Sequence, residues 1–193
     1  MLAGLPLPFS PIQIILLEMF MDLAASAGFV AEPAEADIAF RPPPRTTAPF
    51  LDRNAVMRIL SKGTALFLAV MAAYTWATQQ GLASGAVQTC AFTSWMIGHV
   101  ALAFISRKDR EPVIRHDLFS NRVMNVWALA AMAFLLLAVY VPPIRAALRF
   151  AEISPRNLLV SALLAILLVG PLEQLKRIWP PPAPKSEAVS IYP

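Results

Sequence analysis

Apolar residues along this chain are gathered in five long blocks, separated by polar and proline-rich segments. A helix that spans a membrane needs about 20 largely apolar residues, with a range of about 17 to 25. Four blocks reach this length, and flanking polar side chains can extend the fifth to the membrane interfaces. The pattern therefore predicts an all-α membrane protein, a bundle of five transmembrane helices at residues 11–30, 60–80, 86–106, 122–141 and 156–176.

Residues with known preferences for helix ends support several of these boundaries. Ser154 followed by Pro155 is a favourable helix start, with serine as the N-cap and proline in the first helical position. Ser120 is expected to cap the fourth predicted helix in the same way. Pro142 and Pro143 are expected to end that helix, because proline lacks the backbone donor that a helix interior needs.

Composition agrees with a membrane protein and argues against a soluble domain. The 193 residues are 58% hydrophobic and 15% charged, whereas a soluble domain has about 25% charged residues. The longest polar stretch, residues 31–56, is rich in proline and too short to fold as a catalytic domain. Membrane lipid is therefore the expected surrounding of most of the chain.

The positive charges lie mostly on one side of the predicted bundle. Of 16 Lys and Arg residues, 13 fall in the connections 31–56 and 107–121, at the adjoining helix ends or in the C-terminal tail, and three fall on the opposite side. Cytoplasmic loops carry such an excess, so we predict that the N-terminus is outside and the C-terminus is cytoplasmic. The net charge of +4 is thus accounted for by topology, and no nucleic-acid partner is expected.

Motifs of soluble catalysis are missing from the sequence. It has no GxxxxGK[ST] phosphate loop, no GxGxxG, no HExxH and no paired CxxC. The single Cys90 provides neither a disulfide framework nor metal-ligand spacing, and His99 is expected to be a packed residue. We therefore expect no catalytic residue and no cofactor-binding residue, and no enzymatic activity of this chain on its own.

Two acids stand in the first apolar block. Glu18 and Asp22 are four residues apart and would lie on the same face of one helix. An Asp at the centre of a membrane helix costs about 2.5–3.5 kcal/mol, and such residues mark ion or proton paths by default. Carboxylates also suit hard cations. The two acids are therefore candidate ligands for a transported cation or proton, and the alternative is a neutral, hydrogen-bonded structural pair.

Several motifs in consecutive order resemble the C-terminal transmembrane region of cation-transporting P-type ATPases of the calcium-pump-like branch. The stretch LPLPFSPIQIILLEMFMDL resembles the sixth helix of that family, and EPAEADIAFRPPPR resembles its EPxxxDIMxRPPR loop signature. The stretches MIGHVALAFISRKDREP, DLFSNRVMNVW and YVPPIRAAL are similar to later parts of the same region. The resemblance extends from about residue 5 to residue 178.

This resemblance implies a role for named residues. Asp22 matches a cation ligand of the family's sixth helix, whereas Glu18 takes the place of an asparagine ligand. The loop is expected to dock on the phosphorylation domain of a complete pump through Glu32, Pro33, Asp37, Arg41, Pro42 and Pro43. The first five helices, the cytoplasmic domains and the phosphorylated aspartate in DKTGT are not in this sequence.

The predicted organisation is a P-type ATPase C-terminal transmembrane domain over residues 1–178 and a proline-rich, disordered cytoplasmic tail over residues 179–193. The expected function is to supply part of an intramembrane cation site in a truncated or split pump, in a bacterial inner membrane. Its partner would be the remainder of the pump. The sequence does not identify the transported cation, and divalent ions are candidates. The alternative is a stand-alone, non-enzymatic membrane protein that scaffolds or regulates a partner through helix packing.

Overall fold

The computed structural model describes residues 7–20, 26–32, 53–107 and 120–174, and all regular structure in these ranges is helical. The seven helices are α1 (Pro11–Met19), α2 (Ser26–Val30), α3 (Arg53–Gln79), α4 (Ser84–Ser106), α5 (Arg122–Tyr140), α6 (Pro142–Ala147) and α7 (Pro155–Val169). The predicted all-α fold class is therefore confirmed.

Four helical segments are long and apolar enough to cross a membrane, namely Arg53–Gln79, Ser84–Ser106, Arg122–Tyr140 and Pro155–Gln174. They correspond to the last four predicted spans. The first predicted span, residues 11–30, contains α1 and α2, and residues 21–25 between them lie outside the described ranges. A single continuous helix there, and the sidedness of the bundle, stay predictions.

Helices α3, α4 and α7 form the packed centre of the bundle. The side of α3 that is turned inward carries small residues at four-residue spacing, Ala65, Ala69, Ala73 and Ala77, and all are buried. Small residues let helix backbones approach closely, which is the main source of helix association in lipid. A hydrogen bond reinforces the contact, because the Ser94 hydroxyl of α4 donates to the Ala69 carbonyl at 3.0 Å.

The outer faces of these helices are apolar and exposed. Phe67 of α3, Leu129 of α5 and Leu167 of α7 are each more than 60% exposed. In water such a surface would be unfavourable, but lipid tails solvate it without cost. Large apolar side chains therefore cover the outside of the described bundle, as expected for a multi-pass membrane protein.

Helix α5 ends at Tyr140, directly before Val141 and the two prolines that are predicted to end it. The start of α7 also agrees with the sequence, and two other boundaries correct it. Ser154 caps α7 by accepting a hydrogen bond from the Asn157 amide, and Pro155 opens the helix, as predicted. The predicted cap Ser120 is wrong, because the Asn121 side chain accepts from the Met124 amide at 2.9 Å and caps α5. The hydroxyl of Ser120 instead accepts from Arg107 at 2.8 Å.

The second predicted span also begins earlier than expected. Helix α3 starts at Arg53, seven residues before the predicted boundary at residue 60, so residues 53–56 are not part of a loop. Its first two turns include Asn54 and Arg58, which are too polar to belong to an apolar block. Its 27 residues extend about 40 Å, which exceeds the hydrocarbon core of about 30 Å. The polar turns can therefore continue the helix beyond the core.

Candidate ion-binding helix and loop base

The first candidate element, α1, begins with a well-formed helix start. Pro11 occupies the first helical position after Ser10, and the Ser10 amide donates to the Gln13 side-chain oxygen at 3.0 Å. The preceding segment is tied to α4, because the Gln88 side-chain amide donates to the Leu7 carbonyl at 3.0 Å. These contacts fix where α1 starts against the bundle.

Helix α1 has one buried face and one exposed face. Gln13 is fully buried and Leu16 is 6% exposed, and Leu16 packs in the same apolar cluster as Val87 and Cys90 of α4. Beyond the helix end, the rings of Phe20 and Phe134 of α5 lie 4.8 Å apart. The buried face therefore attaches α1 to α4 and α5.

Glu18 lies on the other face of α1. It is exposed, and its neighbours one turn away, Ile14 and Ile15, are 47% and 62% exposed. Glu18 therefore points away from the described bundle, not into it. Asp22, the second candidate ligand, lies outside the described residues, so the shared face of the two acids stays a prediction.

Other metal donors do not gather around this carboxylate in the part of the chain that the structure describes. No group of three or more His, Cys, Asp or Glu residues that could hold a metal ion occurs there. A single carboxylate can supply one or two oxygen ligands, whereas Ca²⁺ takes six to eight. Any cation site that includes Glu18 must therefore draw most of its oxygens from elsewhere.

His99 behaves as the packed residue that the sequence predicts. Its ring stacks on Trp95 with centroids 4.9 Å apart and an interplanar angle of 5°. The Trp127 ring of α5 meets it edge-on, with centroids 6.1 Å apart. His99 thus contributes to the contact between α4 and α5.

The second candidate element is the predicted cytoplasmic loop that starts at Glu32. Its carboxylate accepts two hydrogen bonds from the Arg107 guanidinium, at 2.9 Å on each oxygen. The Asn121 side-chain amide donates to the same carboxylate at 2.7 Å. The further predicted docking residues, Pro33, Asp37, Arg41, Pro42 and Pro43, lie outside the described residues.

Arg107 and Asn121 are residues that the sequence did not single out. Arg107 entered the prediction only as one of many positive charges, and Asn121 was passed over beside Ser120. A serine–asparagine pair directly before an apolar block is a signal for a cap at either residue. No sequence pattern relates Glu32 to Arg107, because 75 residues separate them.

These features define a class of protein: an integral, multi-pass, all-helical membrane domain with a polar cluster at the base of one loop. The family of cation-transporting ATPase C-termini matches residues 6–178. The match covers most of the 193 residues, so the chain belongs to this family.

Curated relatives are named as calcium- or cation-transporting ATPases. The chain is 21% identical over 157 residues to "Calcium-transporting ATPase 1" of Schizosaccharomyces pombe, covering 81% of this chain and 18% of the relative. It is 24% identical over 182 residues to "Calcium-transporting ATPase" of Bacillus subtilis, covering 92% and 20%. It is 28% identical over 133 residues to "Probable cation-transporting ATPase F" of Mycobacterium tuberculosis, covering 68% and 15%. The chain thus spans a fifth or less of each relative's length.

Proposed function

We propose that this chain is the part of a P-type cation pump that completes the intramembrane ion site and carries the loop for the phosphorylation domain. Glu18 and Asp22 would supply oxygens to the transported cation, or carry protons in exchange. The observation that carries this proposal is the position of Glu18 on the exposed, apolar face of α1. The family to which the chain belongs supports it.

The energetic argument starts from the exposed face of α1. An acid that faces lipid near the centre of a membrane helix costs several kcal/mol, about 2.5–3.5 for Asp on insertion scales. Intramembrane acids therefore face protein or a water-filled cavity. Since Glu18 does not face the described bundle, other helices must cover it. Upstream helices of a pump would do so and would bring further oxygen ligands.

The identity of the cation is part of the proposal. Carboxylate and carbonyl oxygens select hard cations, and the S. pombe and B. subtilis relatives are named as calcium-transporting. By the resemblance given in the sequence analysis, Glu18 takes the place of an asparagine ligand of calcium pumps. We therefore propose a hard cation, with a ligand set that differs from that of a calcium pump.

The test uses a chimaera in which residues 6–178 replace the corresponding C-terminal fifth of the B. subtilis relative. Formation of the phosphorylated intermediate from labelled ATP is measured against cation concentration in membrane vesicles. Asp22→Asn keeps the shape of the side chain but removes its charge, so cation-dependent phosphorylation should be lost. Glu18→Gln should weaken the apparent cation affinity about tenfold, as the loss of one charged ligand would.

The matched control is Glu152→Gln. Glu152 makes an ion pair with Arg145 at 2.6 Å in the connection between α6 and α7, where its side chain is 66% exposed. This variant removes the same charge outside the proposed site and should leave cation affinity unchanged. If Asp22→Asn and Glu18→Gln behaved like the control, the acids would be structural. The chain would then be better described as a scaffold that acts through helix packing.

A further inference from the structure

The polar cluster at the loop base joins three separate parts of the chain. Glu32 follows α2, Arg107 directly follows α4, and Asn121 directly precedes α5. The Asn121 amide group donates to the Gly28 carbonyl at 2.7 Å as well as to Glu32. We name the set of Glu32, Arg107 and Asn121 the loop-base clamp.

The clamp is nearly closed to water. The side chains of Arg107 and Glu32 are 2% and 14% exposed, and Asn121 is 2% exposed. The guanidinium also lies 5.8 Å from the centre of the Phe104 ring. Bidentate pairing between arginine and a carboxylate fixes orientation as well as distance. In such a setting the loss of one partner leaves a buried charge without compensation.

Apolar packing holds the same junction together. A Cβ added at Gly28 would lie 3.1 Å from the Met124 side chain of α5, so α2 and α5 approach each other closely. Met124 in turn packs with Trp127 and Ala103 in one buried cluster. The clamp therefore lies at a contact between α2 and α5 that the small size of Gly28 makes possible.

We propose that Arg107 and Asn121 are positioning residues that hold Glu32, and with it the end of α2, against the end of α4 and the start of α5. Glu32 then serves as the anchor of the loop inside its own chain and is not a surface for docking, since three hydrogen bonds occupy its carboxylate. Use of the loop that follows Glu32 as a docking surface rests on the proposed function, whereas the clamp itself does not.

Substitution of Asn121 makes it possible to test the clamp independently of helix capping. Its side-chain oxygen caps α5, and its amide group holds Gly28 and Glu32. Aspartate caps a helix as well as asparagine does, but Asn121→Asp removes both donors and places a second carboxylate against Glu32. If Asn121 were only a cap, this substitution would have no effect.

The experiment is hydrogen exchange of the 193-residue chain in lipid nanodiscs. In Asn121→Asp and Arg107→Gln, amides of residues 26–32 should exchange about 10- to 100-fold faster, as the loss of charged hydrogen bonds implies. Exchange in α3 should not change. The matched control is Arg122→Gln, which removes the same charge at an exposed position beside the clamp and should leave residues 26–32 protected.

A double variant gives the sharper result. Glu32→Gln combined with Asn121→Asp exchanges the amide and the carboxylate, so that one acid again faces Arg107. Residues 26–32 should regain part of their protection relative to Asn121→Asp alone. Two results would refute the proposed clamp. One is unchanged amide exchange of residues 26–32 in Asn121→Asp, and the other is equal exchange of these residues in Arg107→Gln and Arg122→Gln.

The same variants in the chimaera distinguish the clamp from the proposed function. If the clamp presents a docking loop, Asn121→Asp should slow phosphorylation about tenfold or more while cation affinity stays the same. Faster exchange with normal phosphorylation would confirm the clamp and refute the docking role of the loop.

Discussion

Gly98 offers the sharpest test of the packed centre of the bundle. It lies on α4 where α3 and α7 both approach, and a Cβ built there would be 2.8 Å from Leu66 Cδ1. The same Cβ would lie 3.5 Å from Val169 Cγ2 and 3.7 Å from Ala165 Cβ. Because these contacts come from both α3 and α7, we expect Gly98→Leu to push one of these helices away from α4.

The expected loss can be estimated from packing alone. Added methylenes in a well-packed core cost about 1–3 kcal/mol, and occasionally more. For Gly98→Leu, with contacts on two helices, we expect the free energy of unfolding to fall by about 2–4 kcal/mol. Gly98→Ala should cost less than about 2 kcal/mol, because the end of the Leu66 side chain can move and alanine gains about 1 kcal/mol of helix propensity.

Gly63 is the matched control. It is a helical glycine on α3, and a Cβ there would meet nothing within 4 Å. Gly63→Leu should therefore be neutral or stabilising, since it gains helix propensity and adds an apolar side chain at an exposed position. Leu66→Ala should cost less stability in the Gly98→Ala background than in the unsubstituted chain, because it removes the atom nearest the new Cβ.

The assay is unfolding of the purified chain in mixed micelles by increasing sodium dodecyl sulfate, followed by tryptophan fluorescence. Trp95 and Trp127 are 7% and 5% exposed, so their emission should respond to separation of the helices. If Gly98→Leu and Gly63→Leu unfolded at the same detergent fraction, α3, α4 and α7 would not cross as described. The reasoning about the bundle centre would then be refuted.

Two further predictions concern activity and topology. The purified chain should neither hydrolyse ATP nor form an acid-stable aspartyl phosphate, because its sequence has no phosphate loop and no DKTGT motif; transfer of label from ATP to this chain alone would contradict this. Single cysteines in a Cys90→Ala background should be labelled from outside intact cells at residues 81–85 and near Ala151, and protected at Thr46 and Glu111. Labelling of Glu111→Cys from outside would overturn the assignment of the positive loops to the cytoplasm.

Much of the fold follows from the sequence because a membrane imposes simple rules. Backbone groups in lipid must be bonded within their own segment, so an apolar block of sufficient length becomes a helix whatever surrounds it. Local chemistry then sets helix ends, as at Ser154 and Pro155. Where two caps compete, as at Ser120 and Asn121, the sequence does not decide, because the choice depends on which side chain other helices engage.

For the candidate site as well, one part follows from the sequence and another part only from the tertiary structure. Composition and spacing alone draw attention to Glu18, because an acid in an apolar block is costly wherever it points. Only the packing of α1 through Gln13 and Leu16 decides that Glu18 faces away from the described bundle. The helices that would cover it in the proposed function are specified by no local pattern.

The loop-base clamp belongs wholly to the tertiary structure. Glu32, Arg107 and Asn121 are ordinary polar residues near helix ends, and any of them could have faced water. They meet because α2 lies against α5 at Gly28 and because α4 ends beside the start of α5. Burial then strengthens the hydrogen bonds, since little water competes for them. Sequence determines which segments become helices, whereas contacts between distant segments determine which polar groups become partners.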